Sequence, residues 1–170
     1  DGEAAEDRSG SSVSLSSDGN IVAIGSYHYN GLHGFVSIYS LDGSAWNKMG
    51  QDIDGEFGTQ FSSDATGFNV SLSSDGQIVA MGAKWNGDNG VESGNVRIYS
   101  WGGVNWNQVG IDIDGEATHD NSGYSISLSD DGNTVAVGAL RNDGNGFNSG
   151  HVRVYQFSVP GCTDPTALNY

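Results

Sequence analysis

A segment of fifteen residues occurs three times with few changes, and this repeat limits the possible folds more than any other feature of the chain. The copies begin at Ser11, Phe68 and Tyr124, so their starts are 57 and 56 residues apart. All three contain Val/Ile-Ser-Leu-Ser-Ser/Asp-Asp-Gly and then, after two variable residues, Val-Ala-x-Gly. A fixed period of this size is typical of repeat architectures, in which each unit buries its apolar face against its neighbours.

Each copy of the segment predicts a β-hairpin. In its first half, apolar residues alternate with Ser, as at residues 13–15, and this is the period of a strand with one buried face. Asp-Gly then marks a tight turn, because both residues tolerate positive φ. The return segments 21–24, 78–81 and 134–137 are almost entirely apolar, which favours strands that are covered on both faces.

Two further strands are predicted in each repeat. A variable loop rich in Gly and Asn ends at Gly34, Gly94 and Gly150, and a strand of the type Val-x-Ile/Val-Tyr follows each time. A fourth segment, Trp-Asn-x-x-Gly, follows only in the first two copies. No segment has the i, i+3, i+4, i+7 spacing of an amphipathic helix. The sequence therefore predicts an all-β chain of repeated four-stranded antiparallel meanders, and the third meander lacks its last strand.

We expect the three repeats at about 1–53, 54–113 and 114–157, followed by a tail at 158–170 that begins a truncated Cys-containing module. The chain opens on Asp-Gly-Glu, which recurs after each of the first two repeats. We therefore expect position 1 to lie within a longer array of repeats.

The repeated segment, together with Gly-x-Val-x-Ile/Val-Tyr after the variable loop, resembles the FG-GAP blade of integrin-like and other extracellular β-propellers, in a degenerate form found in surface proteins. The resemblance covers roughly residues 1–157 and implies β-propeller-type blades. FG-GAP blades that bind calcium carry an Asp- and Asn-rich loop between their first two strands, and here most of those ligands are missing. A β-trefoil, a β-prism and a solenoid of meanders stay open as alternatives.

The number of meanders bears on function, because a propeller ring closes with about four or more blades. We therefore expect further repeats of a longer protein, or other copies of this chain, to cover the first and last sheets. The predicted function is a non-catalytic extracellular structural or adhesive module that assembles in this way, for example in a surface filament or coat. The alternative is a glycan-binding lectin domain, either calcium-dependent or loop-based.

The strongly acidic composition excludes some partners and favours others. The chain carries 21 acidic and 6 basic side chains, a formal charge of -15. Nucleic acids and anionic membranes are disfavoured because their binding needs clustered Lys and Arg, and no apolar run approaches the roughly 18 residues of a membrane span. Asp112, Asp114 and Glu116 alternate and are candidates for calcium, although a solvated connection between blades has the same composition. No metal or other cofactor is required by the sequence.

The variable loops contain the candidate ligand-binding residues. Aromatic rings there would stack on sugars or on a partner protein, and acidic groups would bind a metal or a sugar. Turn chemistry explains the same loop composition without a ligand. The candidates are Tyr27, Tyr29, Trp85, Asp88, Glu92 and Asp143.

Catalysis is not expected from this chain. Its four histidines share no metal-binding spacing, and no Gly-x-Ser-x-Gly elbow is present. Acidic residues are abundant, but no pair is distinguished as an acid and a base.

Two features concern an extracellular setting, which the second favours and in which the first would matter. Asn69 begins the only Asn-x-Ser/Thr sequon and is a candidate for glycosylation. The tail Gly-Cys-Thr-Asp-Pro resembles the start of a small module at the ends of secreted surface proteins, where a second Cys follows later. The resemblance implies that Cys162, the only cysteine, forms a disulfide with a partner outside this chain.

Overall fold

The computed structural model describes residue 2 and residues 4–27, 33–56 and 64–157, which form three consecutive antiparallel β-sheets. The first sheet contains β1 (Ser9–Leu15), β2 (Ile21–Ser26), β3 (Phe35–Asp42), β4 (Ala45–Lys48) and β5 (Ile53–Asp54). The second contains β6 (Thr66–Leu72), β7 (Ile78–Ala83), β8 (Asn95–Trp101), β9 (Trp106–Gln108) and β10 (Ile113–Asp114). The third contains β11 (Ser122–Leu128), β12 (Thr134–Ala139) and β13 (His151–Gln156).

The described residues contain no helix, and therefore none with the length and apolarity needed to cross a membrane. Within each sheet the first three strands pair in chain order, as a meander does. The structure thus confirms an all-β chain of repeated antiparallel sheets, with hairpins at the places where the repeated segment predicts them.

The fourth strand of the first two sheets differs from the sequence prediction, because it is broken in two. β4 pairs with the end of β3 and β5 pairs with its beginning, and β9 and β10 divide β8 in the same way. Gly50 and Gly110 lie at the breaks with φ of 74° and 73°, a conformation that glycine adopts without steric cost. The chain therefore leaves the ladder for a few residues and then returns to the same neighbouring strand.

The apolar core lies between the sheets. We call the side of each sheet that carries Val13, Val70 or Ile126 its front face, and the opposite side its rear face. The front face of the second sheet packs on the rear face of the first, and the third sheet packs on the second in the same way. The buried residues of the first junction are Ala23, Val36, Ile38, Met49, Ile53, Val70, Leu72, Val79 and Met81. Those of the second are Ile78, Ala80, Val96, Ile98, Leu128, Val135 and Val137.

Serine side chains also connect neighbouring sheets. The backbone N–H of Leu72 donates to Ser14 Oγ at 3.0 Å, and the N–H of Leu128 donates to Ser71 Oγ at 2.9 Å. These serines are the polar positions of the alternating Val/Ile-Ser-Leu pattern, so the repeated segment forms contacts between sheets as well as strands within them.

Candidate functional site

A buried aspartate precedes the first strand of each sheet, at Asp7, Asp64 and Asp120. Asp64 accepts hydrogen bonds from the backbone N–H groups of Glu56 and Thr66, at 2.8 and 3.0 Å, and from the Thr66 hydroxyl at 2.7 Å. It therefore joins the end of the first sheet to the start of the second. Sequence reasoning missed these residues, although Asp-x-Ser/Thr-Gly recurs in all three repeats and would have revealed them.

A buried arginine joins the same connection. The guanidinium of Arg97 lies 3.7 Å from carboxylate oxygens of both Asp64 and Glu56, and it donates to Thr66 Oγ1 at 2.8 Å. Arg97 is on the front face of β8, so this contact holds the second sheet to the end of the first.

An acidic cleft lies beside this contact. Glu56, Asp88 and Asp112 each place a carboxylate oxygen within 4.8 Å of the others. Asp114 also lines the cleft, whose volume is about 510 Å³. Burial raises the pKa of Glu56, and the nearby Asp112 and Asp88 carboxylates raise it further while Arg97 opposes them. Burial also raises the pKa of Asp114, and the carboxylates of Asp112 and Asp88 raise it further. The cleft is therefore a place where negative charges repel one another.

The predicted calcium candidates do not form one site. Asp112 and Asp114 line the acidic cleft, whereas Glu116 contacts the third sheet. Glu116 Oε1 lies 2.6 Å from Arg153, and Glu116 Oε2 lies 3.9 Å from His151. The alternation of acids in the sequence did not indicate that Glu56 and Asp88 would complete the group.

Aromatic side chains from four segments of the chain form one cluster. The ring of Phe68 lies 5.4 Å from that of Tyr27 and 5.3 Å from that of Tyr124, and Tyr27 lies 6.5 Å from Trp85. The ammonium of Lys84 lies over Phe68, 3.5 Å from the ring centroid, and 4.7 Å from that of Trp85. Burial lowers the pKa of Lys84. The structure thus brings together two predicted ligand-binding residues, Tyr27 and Trp85.

The other predicted loop residues lie apart from this aromatic cluster. Asp88 lines the acidic cleft, and Glu92 is 3.4 Å from His119. Asp143 accepts the backbone N–H of Asn148 at 2.6 Å, which is turn chemistry. Tyr29 lies outside the described residues.

The predicted modification sites remain predictions. Asn69 is half-buried in β6, on the face that also carries Ser71 and is covered by the third sheet. Cys162 and the tail lie outside the described residues.

The front face of the first sheet and the rear face of the third sheet are exposed. The equivalent residues of the second sheet are buried between sheets. On the front face of the first sheet Val13 is 64% exposed, whereas the equivalent Val70 is 6% exposed. On the rear face of the third sheet Val152 is 67% exposed, whereas the equivalent Val96 is fully buried. Leu15 and Val154 continue these two apolar faces.

Glycines on the rear faces permit the close approach of the next sheet. A Cβ at Gly25 would lie 2.1 Å from the carbonyl oxygen of Gly67, and one at Gly82 would lie 2.3 Å from that of Gly123. At the equivalent Gly138 of the third sheet, the three atoms nearest to such a Cβ all belong to Ser125 of the same sheet. The third sheet therefore has the same rear surface, and no sheet formed by the described residues packs on it.

Comparison with known proteins identifies the repeat. No curated protein matches the chain. Among solved structures, hydrazine synthase of Kuenenia stuttgartiensis matches with a TM-score of 0.49 and 12% sequence identity over 86% of this chain, and the chain spans 45% of the length of that one. Residues 111–155, which extend from the acidic cleft through the third sheet, match the FG-GAP repeat. Residues 111–155 therefore form an FG-GAP-like repeat, and this match together with the antiparallel sheets points to β-propeller blades.

Proposed function

We propose that the chain is a non-catalytic extracellular module with a structural or adhesive role, which assembles with second copies through the outer faces of its first and third sheets. FG-GAP repeats are generally non-catalytic and typically occur in extracellular or surface proteins. The observation that carries the proposal is the exposure of the two apolar outer faces, at Val13 and Leu15 in front and Val152 and Val154 behind.

The chain itself contains the pattern for this contact twice. At each internal junction a front face packs on a rear face. The front face there is equivalent to the exposed one of the first sheet, and the rear face is equivalent to the exposed one of the third sheet. Gly138 leaves room for a neighbouring carbonyl group, as Gly25 and Gly82 do inside the stack. A second copy would therefore dock its front face on the free rear face, in a head-to-tail contact that buries apolar surface.

Sedimentation velocity over a concentration series tests this proposal. We expect the wild-type chain to form concentration-dependent oligomers, and we expect Leu15→Lys and Val152→Lys each to abolish them by placing a charge in the contact. An equimolar mixture of the two variants should form only dimers, because each keeps one intact face. Val104→Lys, in the exposed loop between β8 and β9, is the matched control and should assemble like the wild type. A wild-type chain that stays monomeric at every concentration would contradict the proposal.

Glycan binding is a second candidate function, and the aromatic cluster favours it. Tyr27 and Trp85 are partly exposed, and flat aromatic surfaces stack on sugar rings. On a glycan array we expect Trp85→Ala to lose any signal of the wild type, and Trp46→Ala, an exposed tryptophan of β4, to keep it. No wild-type signal, or equal loss in both variants, would remove this candidate.

A further inference from the structure

The carboxylates of the acidic cleft come from three separate parts of the chain. Glu56 follows β5, Asp88 lies in the loop between β7 and β8, and Asp112 precedes β10. Their oxygens nevertheless approach within 4.8 Å of one another, at the junction of the first and second sheets. Three like charges held this close repel one another unless a positive charge lies between them.

A buried amide beside the cleft has an unsatisfied oxygen. Asn95 is completely buried, and its side chain points at Asp112, to whose Oδ2 it donates from Nδ2 at 3.1 Å. Asn95 Oδ1 has no hydrogen-bond partner in the described part of the chain. A buried acceptor without a partner is rare in native proteins and is one sign of a missing ligand. Amide and carboxylate oxygens are also the ligands that hard divalent cations prefer.

The first sheet has a lysine ammonium at the position equivalent to the acidic cleft. There Asp52, the equivalent of Asp112, is neutralised by the ammonium of Lys48 at 2.6 Å. In the second sheet Gln108 takes the place of that lysine and donates to Asp112 Oδ1, also at 2.6 Å. The second sheet thus has the same hydrogen bond to the aspartate but no ammonium, at the position where two further carboxylates converge. The nearby guanidinium of Arg97 lies 3.7 Å from Glu56 and is shared with the buried Asp64.

We propose that Glu56, Asp88 and Asp112 bind a divalent cation of the calcium type at this junction, with Asn95 as a further oxygen ligand. Calcium fits better than magnesium, because it accepts more oxygen ligands in less regular geometry. The ion would connect the end of the first sheet to the loop and edge of the second. This site does not depend on assembly or on glycan binding.

Isothermal titration calorimetry of the whole chain, after treatment with EDTA, tests the site directly. CaCl₂ should bind with one-to-one stoichiometry and more tightly than MgCl₂. Asp88→Asn and Asp112→Asn should each weaken calcium binding at least ten-fold. Asp88 is exposed in a loop, so its substitution should leave folding intact by circular dichroism. Glu116→Gln is the matched control, since Glu116 follows Asp-Gly as Glu56 does but contacts Arg153, and its calcium affinity should equal that of the wild type.

A charge replacement gives a second readout. Gln108→Lys would supply to Asp112 the ammonium that Lys48 supplies to Asp52, so it should abolish calcium binding and raise the melting temperature measured in EDTA. The proposal is overturned if the folded wild-type chain shows no saturable calcium binding. It is also overturned if Glu116→Gln weakens binding as much as Asp88→Asn, because the ion would then respond only to overall charge. Equal affinity for magnesium would overturn the assignment to calcium.

Discussion

The aspartate of each hairpin turn shows how a single residue sets local structure. Asp18 accepts the Ser16 hydroxyl at 2.6 Å and the backbone N–H of Asn20 at 2.9 Å, and the neighbouring Gly19 has a φ of 72°. The same bonds recur at Asp131. These carboxylates therefore hold the turns together by accepting hydrogen bonds, in agreement with the sequence interpretation that they are turn residues.

We expect these two turns to contribute to acid unfolding. Hydrogen bonds from serine hydroxyls, and then from the asparagine N–H groups, lower the pKa of Asp18 and of Asp131 below the ordinary 3.8. A lowered pKa means that the stabilisation is complete above the ordinary value and disappears as the pH falls through the folded-state value. The double variant Asp18→Asn/Asp131→Asn should therefore melt below the wild type at pH 6, and this difference should shrink as the pH falls below 3.8.

Thermal unfolding followed by circular dichroism between pH 2 and pH 7 measures this difference. The control is Asp130→Asn, compared with the single variant Asp131→Asn, because each removes one carboxylate charge from adjacent positions of the same turn. A difference in melting temperature that stays constant with pH would show that the carboxylates contribute by some other means.

At this scale the sequence predicted the turns but not the acidic cleft. Turn residues act through neighbours two positions away, so Asp-Gly was sufficient evidence. Glu56, Asp88 and Asp112 meet only because the loop after β7 lies against the broken fourth strand and against the end of the first sheet. The spacing of these three acidic residues along the sequence does not indicate that their side chains lie close together.

At the scale of the strand, the Val-Ala-x-Gly segment contributes both apolar packing and close approach of the next sheet. Its apolar residues fill the junctions on both faces, and its glycine brings the next sheet close enough for backbone contact. The sequence predicted the apolar packing, because a continuous apolar run indicates burial on both faces. The close approach depends on the distance between sheets, which local sequence does not determine.

We expect Gly82→Ala to destabilise the chain. The new Cβ would lie 2.3 Å from the carbonyl oxygen of Gly123, which belongs to the backbone of the neighbouring sheet and cannot rotate away. Overpacking of this kind costs about 1–3 kcal/mol of unfolding free energy. Urea denaturation measures the loss. Gly138→Ala, measured at a concentration where the chain is monomeric and its rear face is free, is the matched control. Its Cβ would meet the movable Oγ of Ser125, and equal losses in the two variants would refute the argument.

At the scale of the whole molecule, the same residues have different environments in different repeats. Val13 and Val70 occupy the same position of the repeated segment, yet the first is exposed and the second is buried. The repeat predicted the blades and their contacts, but the environment of each copy depends on its place in the stack. An apolar face at each outer sheet is therefore a property of the stack and not of any single repeat.

Overall charge opposes the assembly that these faces favour. Each copy carries a formal charge of -15, so two copies repel one another when ions do not screen them. The Debye length falls from about 30 Å at 0.01 M salt to about 3 Å at 1 M. We therefore expect the dissociation constant of the oligomers to fall as NaCl is raised over this range, because the repulsion is screened while the apolar contact between faces is retained.

Sedimentation velocity at a series of NaCl concentrations measures this trend. Leu15→Lys serves as the control, since it should remain monomeric at every salt concentration and so separate docking of the front face from non-specific association. The opposite trend, with oligomers that dissociate as salt is added, would mean that ion pairs hold the copies together. The contact would then have to be sought among the charged loops, away from the apolar faces of the first and third sheets.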